Sequence, residues 1–156
     1  MEECSVIAPI SFFVSGVPKG QPRTQAFARK IGGKFVARVF TPGTAEAWKS
    51  CIAAAAAQHK PAEPIAGPVR LRICFYIQRP KGHYTGGKIE RGLRATAPHY
   101  HTGKPDSDNL AKAVMDALTQ CGWFWGDDAQ VAVLTAAKLY ADSGTGAMVE
   151  IKEVAA

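Results

Sequence analysis

Apolar and polar residues alternate in one stretch of the chain, Val69 to Ile77 (VRLRICFYI). Val69, Leu71, Ile73, Phe75 and Ile77 share one face of an extended backbone, which predicts a half-buried strand. Ile10 to Val17 (ISFFVSGV) is a β-prone apolar run and predicts a first strand. Lys34 to Phe40 predicts a short strand. Ala129 to Tyr140 and Ala147 to Val154 predict two more, joined by the turn DSGTG. The period changes at Asp108 to Cys121. At about 100° per residue, Leu110, Val114, Ala117, Leu118 and Cys121 gather on one side of a helix, and Asp108, Lys112 and Asp116 fall opposite. Gly122 supplies the usual helix stop. Alanine, the best helix former, crowds Ala45 to His59, with Thr44 as the expected N-cap. Two stretches show no period: PKGQPRTQAFARKIGGK, from Pro18, and Lys81 to Gly103. Glycines and prolines punctuate both, so they predict a basic loop and a long mobile loop.

The order is strand, strand, helix, strand, helix, strand, strand. It predicts an α/β (α+β) fold: a single domain over residues 1–156, with a mixed β-sheet, two main helices packed on it, and a long basic loop at about 79–104.

With 156 residues, 47% of them hydrophobic, the chain can build one core and is not a disordered tail. No apolar run is long enough to span a bilayer. The chain opens with acids (MEEC) where an export signal opens with positive charge, so a cytoplasmic protein without a membrane partner is expected. Cys4, Cys51, Cys74 and Cys121 are scattered, with no C-x-x-C pair, and are expected to be reduced thiols.

The net charge of +6 matters less than its distribution. Lys19, Arg23, Arg29, Lys30, Lys34 and Arg38 follow one another with no acid between them. Arg70, Arg72, Arg79, Lys81, Lys88, Arg91, Arg94 and Lys104 face Glu90 alone. Five of the thirteen acids then fall between Asp106 and Asp128. The sign of the charge reverses at one segment, KPDSDNLAKAVMDAL (Lys104 to Leu118).

Asp106 and Asp108 stand where an extended segment enters a helix. Hard cations such as Mg²⁺ take oxygen ligands from a few carboxylates and water. On this pair alone a helix cap is the simpler reading, because a helix start favours negative charge in any case. Asp127 and Asp128 lie after the helix, and a strand returning beside it is expected to bring one of them, Asp128, back to the helix start. Three converging carboxylates hold one or two metal ions, and such ions activate water for phosphodiester hydrolysis. Lys112, one turn past Asp108, is either a surface ion pair with it or a cation for the scissile phosphate; the residues alone favour the pair. Asp106-Ser-Asp108 opens like an EF-hand loop, but Leu110 takes a ligand position and no glycine follows. His99 and His101 lack partners at zinc-site spacing. Trp123, Phe124 and Trp125 offer rings for stacking on bases, although core or interface aromatics explain them more simply.

The stretch KPDSDNLAKAVMDAL…GWFWGDDAQV resembles the RusA family of Holliday-junction resolvases of bacteria and their prophages. The family pattern is found at Asp106, Asp108-Asn109-Leu110, Lys112, Asp116-Ala117-Leu118 and Asp127-Asp128-Ala129-Gln130-Val131. VPKGQPR also resembles the family's first strand and the basic loop after it. The resemblance implies a homodimeric, Mg²⁺-dependent (or Mn²⁺-dependent) endodeoxyribonuclease of mixed α/β fold that cuts DNA four-way junctions in recombination and repair. It implies metal ligation by Asp106, Asp108 and Asp128 and a catalytic role for Lys112. The expected contacts to the DNA backbone are Lys19, Arg23, Arg29, Arg79, Lys81 and Lys104, and Met115 and the exposed aromatics are candidates for the dimer interface. The alternatives are a catalytically silent DNA-binding protein and a broader branched-DNA nuclease.

Overall fold

The computed structural model describes residues 8–22, 25–40, 45–86 and 91–155. Cys4, Arg23 and Thr44 lie outside them. A four-stranded sheet in the order β1-β6-β4-β5 forms the body. Its strands are β1 (Ile10–Ser15), β4 (Val69–Ile77), β5 (Val131–Tyr140) and β6 (Gly146–Glu153). A separate two-stranded hairpin holds β2 (Gln25–Ile31) and β3 (Lys34–Phe40). Helices α1 (Glu46–Ala57) and α2 (Ser107–Cys121) complete the fold. The mixed sheet with two helices is the architecture that the apolar pattern predicts.

The alternation along β4 is what builds the core. Val69, Leu71, Ile73 and Phe75 are buried on one face, beside Phe12 and Val14 of β1 and Ala147, Val149 and Ile151 of β6. Leu110, Ala113, Val114, Ala117 and Leu118 of α2 join that cluster, with Trp48 and Ile52 of α1. Each fully buried large side chain contributes about 1.5–3 kcal/mol. Phe124 and Trp125 are also fully buried, and Trp125 Nε1 donates to Thr119 Oγ1 at 2.8 Å. These two aromatics are therefore core. Met115 packs against the core from its edge. Cys51, Cys74 and Cys121 are free thiols.

Direction within the sheet decides where function can sit. β1 and β4 each run antiparallel to β6, and β5 runs parallel to β4. The carboxyl ends of β1, β4 and β5 therefore share one edge. In open sheets that edge, with the helix starts beside it, is where ligands bind.

Two segments differ from expectation. Gln25–Ile31, read as loop, is a strand. Its register with β3 runs from Gln25 opposite Phe40 to Ile31 opposite Lys34. Gly32 and Gly33 turn the hairpin with φ of 58° and 82°, the left-handed pair that a tight two-residue turn requires. The second difference is the segment between β4 and α2, read as a mobile loop. Its described residues form a strap fastened to β5. Tyr140 N donates to the His99 carbonyl and His101 N to the Lys138 carbonyl, each at 3.0 Å. Farther out, Thr85 and Gly92 bond reciprocally and Arg94 N donates to the His83 carbonyl.

Candidate active site

Asp106 and Asp108 stand at the start of α2, on the edge where β1, β4 and β5 end. Two ties hold them there. Lys138 of β5 donates through Nζ to the carbonyls of Gly103 (2.7 Å) and Pro105 (2.8 Å), fixing the chain just ahead of Asp106. From the other side, Gln21 N donates to the Asn109 carbonyl at 2.9 Å, and Gly20 lies against the Asn109 side chain. A Cβ on Gly20 would approach Asn109 Cβ to 3.0 Å, so glycine permits this close passage. The segment after β1 is thereby stitched to the first turn of α2, and it carries Lys19, exposed, into the neighbourhood.

Asp106 occupies the N-cap position in an extended conformation but makes no capping hydrogen bond through its side chain. Its Oδ2 accepts from Lys104 Nζ at 2.9 Å instead. Asp108 follows in the first turn, exposed. Lys112 reaches Asp116 Oδ1 at 3.6 Å, an i,i+4 pair pointing down the helix. Gln21 Oε1 is buried without a hydrogen-bond partner.

Asp128 is elsewhere. It opens a short 3-10 turn at Asp128–Gln130, after the carboxyl end of α2 and just ahead of β5. The helix has 15 residues, a length of about 22 Å at about 1.5 Å per residue. Lys138, which fastens the chain before Asp106, is likewise near the far end of β5 from Asp128. The expected convergence of Asp106, Asp108 and Asp128 therefore does not occur within one chain. Among the described residues no three His, Cys, Asp or Glu side chains gather as one metal site. The reason is topological: α2 runs back along the sheet before β5 begins, so the two acidic segments lie at opposite ends.

Asp127 has a structural task. Its Oδ1 accepts from Ala129 N at 2.8 Å, and Gln130 Oε1 accepts in return from Asp127 N and Gly126 N. Gln130 Nε2 also donates to the carbonyls of Ile65 and Gly67. Gln130 thus ties the turn to the segment before β4. Sequence reasoning assigned it no task, although it stands in the Asp-Asp-x-Gln-Val signature. Asp128 is exposed on this turn.

The basic residues divide into two groups. Lys19, Arg29, Lys81 and Lys104 are exposed. Arg79 is 5% exposed and does not present its charge to solvent. It donates to the Pro98 carbonyl at 2.7 Å, lies 5.3 Å from the Tyr140 ring centroid, and reaches Asp142 at 3.4 Å. Its guanidinium is occupied in holding the strap, which removes it from the expected backbone contacts. His83 and His101 set their ring edges against Tyr140, at 4.7 and 5.0 Å between centroids. Burial, and then the nearby charge of Lys138, push the His101 pKa below the ordinary histidine value.

The family model described as endodeoxyribonuclease RusA matches residues 15–152, nearly the whole chain. The chain belongs to the RusA family. Membership indicates a Holliday-junction endodeoxyribonuclease, and the match spans the basic segment after β1, the start of α2 and the Asp127-Asp128 turn together. The chain is also similar to the uncharacterized protein YqaN of Bacillus subtilis (strain 168). The two are 34% identical over 151 residues, covering 94% of this chain and 98% of the relative. No helix among the described residues is long and apolar enough to cross a membrane.

Proposed function

We propose that this RusA-family chain is a divalent-metal-dependent resolvase that cuts DNA four-way junctions in recombination and repair as a homodimer. The observation that carries the reading is the start of α2. Asp106 and Asp108 are held there by Lys138 and by the Gln21–Asn109 contact, with Lys104 and Lys112 close along the chain and Lys19 two residues from the Gln21 tie. Binding phosphate calls for positive charge, and holding a hard cation calls for carboxylate oxygen. Their juxtaposition suits phosphodiester hydrolysis.

The donors fit Mg²⁺, or Mn²⁺, in kind: aspartate oxygens at a helix start, with a buried amide oxygen, Gln21 Oε1, in the adjoining segment. Asp106 and Asp108 would hold the ion, and Asp128 of a second copy would complete the set. Bound there, the ion would supply an activated water and charge neutralisation at the phosphate. The chain's own residues act around it. Lys104 and Lys19 draw the backbone in by charge. Lys112 leaves Asp116 to face the developing charge on the phosphate, where a fixed cation in a drier site is worth far more than an exposed pair in water.

Cleavage of synthetic four-way, flap and linear duplex DNA, with and without Mg²⁺, tests this reading. Paired nicks across the four-way junction, only with metal, are expected. Junction binding without cutting at any metal concentration would make the chain a silent binder. Equal cutting of flaps would make it a broader nuclease.

A further inference from the structure

Among the described residues no side chain of the β2–β3 hairpin belongs to the core, and its composition is unusual for a surface ribbon. Across Cys4–Ala45 there is no acidic residue. From Arg29 to Ala37 every residue is exposed. A two-stranded ribbon alone is marginal in water, and from Arg29 to Ala37 neither face of this one is buried against the body. It nevertheless displays three large apolar side chains near its tip: Ile31 (56% exposed), Phe35 (76%) and Val36 (40%). Residues paired across an antiparallel ribbon share a face. Phe35 pairs with Lys30, and the next pair on that face is Ala28 with Ala37. The ring therefore stands above two small side chains with open space beside it. Lys30 Nζ lies 5.9 Å from its centroid. The opposite face pairs Arg29 with Val36 and Ile31 with Lys34.

The geometry points to the hairpin as a DNA arm that recognises the branch. In this assignment Phe35 stacks on a base left unstacked where the strands exchange, while Arg29, Lys30 and Lys34 hold the flanking phosphates. The charge argues for nucleic acid over an apolar protein partner: Lys30 shares the ring's face, Arg29 and Lys34 stand on the other face of the same ribbon, and no acid dilutes them. Stacking on an aromatic side chain tolerates any base but requires one with an open face. A continuous duplex offers none, whereas a branch point does. Phe35 therefore reads DNA structure, and the lysines and arginine supply affinity that any DNA would share. This inference rests on the proposed action on junctions and adds the means by which a junction is told from duplex.

The test compares wild type with Phe35→Ala, Phe35→Trp and Arg29→Ala/Lys34→Ala, using four-way and linear duplex DNA. Wild type must first bind and cut the junction; if it does not, the functional reading fails before the arm is tested. Phe35→Ala is expected to weaken junction binding about ten- to a hundredfold, the size of one lost stack, and to leave duplex binding unchanged. Phe35→Trp should restore it. The double variant should weaken both DNAs and lower the salt slope by about two. In wild type a 2-aminopurine at the branch should change its fluorescence on binding, and in Phe35→Ala it should not. Because Phe35 is exposed, melting should be unaffected. Unchanged junction binding by Phe35→Ala, in a protein whose wild type cuts, overturns the assignment. So does loss of a dimer on light scattering, which would make Phe35 a protein contact.

Discussion

At the residue scale the chemistry turns on what each charge is already doing. Asp106 occupies a cap position without a capping bond, and Asp108 is exposed. Asp108 lies inside the first turn rather than at the cap, where its charge is worth only about 0.3–1 kcal/mol to the helix. Asp108→Asn should therefore fold, melt within a few degrees of wild type and bind junctions as tightly or more so, since one repulsive charge is gone. Its cleavage rate should fall by several orders of magnitude. Measuring binding and cutting on the same preparation separates the two roles, and near-normal cutting would reduce Asp108 to a first-turn charge that merely favours the helix start. Lys112→Met asks the same of the cation. An exposed i,i+4 pair such as Lys112–Asp116 is worth only about 0.3–0.5 kcal/mol, so melting should hardly move. A cleavage loss of a hundredfold or more would then belong to the phosphate, and a loss confined to stability would return Lys112 to Asp116. Much of this was legible in the sequence, because Asp106, Asp108 and Lys112 are neighbours on one helix whose period is strong. Lys138 and Gln130 were not legible as holders of the site. Their partners are backbone carbonyls of segments far along the chain, which no local pattern announces.

At the element scale the strap between β4 and α2 is the part that composition most misrepresents. Its glycines and basic residues suggest a mobile loop. Its order comes from long-range bonds that only the fold creates: Arg79 to Pro98, Tyr140 to His99 and Lys138 to Gly103 and Pro105. Arg79→Ala leaves the Pro98 carbonyl without its charged donor, at a cost of about 1.5–3 kcal/mol. It should lower the melting temperature by several degrees, at about 2–4 °C per kcal/mol for a chain this size, and loosen the strap while DNA contacts elsewhere persist. A variant that melts as wild type but binds DNA more weakly would place Arg79 on the DNA after all. His101 makes the strap sensitive to acid. Its folded pKa is lowered by burial and by Lys138, so the unfolded chain takes up its proton first. The stabilisation is whole above the ordinary histidine value of about 6.5 and is lost as pH falls below it toward the folded value. The amides of Tyr140 and His101, corrected for intrinsic exchange, should lose protection over that window, and His101→Phe should abolish the effect. An equal loss in His101→Phe would show that His101 is not its source. The hairpin was missed for a related reason. Gln25–Ile31 (QAFARKI) carries no strong alternation, its side chains from Ala28 to Ile31 being exposed, and only Gly32-Gly33 marks it. β4, β5 and β6 were legible because burial on one side writes the pattern.

At the scale of the molecule one fact governs the rest: Asp128 lies at the opposite end of α2 from Asp106 and Asp108. The sequence misled here because the Asp127-Asp128 turn is close to the helix in number, and the length and direction of the helix were left out of account. A second copy, as proposed above, would resolve the separation. Among the described residues nothing pairs with the outer edge of β5 from Val131 to Ala137, and Val133 and Leu134 are exposed there. Two such edges meeting about a two-fold axis pair antiparallel, as an isologous contact does. An axis between Val133 and Leu134 would set the Asp128 turn of one copy at the level of Lys138 and Leu139 of the other. Lys138 is the residue that fixes the approach to Asp106. Each site would then take Asp106 and Asp108 from one copy and Asp128 from its mate, and a junction would meet two equivalent sites. Mixed dimers test this directly. Asp108→Asn and Asp128→Asn proteins are each expected to be inactive. Co-expressed with different tags and purified as the heterodimer, they should regain single-strand nicking, because one of the two sites then contains only native aspartates. If all three carboxylates belonged to one chain, every site in the mixed dimer would carry a defect and no activity would return. Introducing a charge at this edge by Leu134→Lys should likewise yield a folded monomer that binds DNA weakly and does not cut it, and an active monomer on light scattering would reject the shared site.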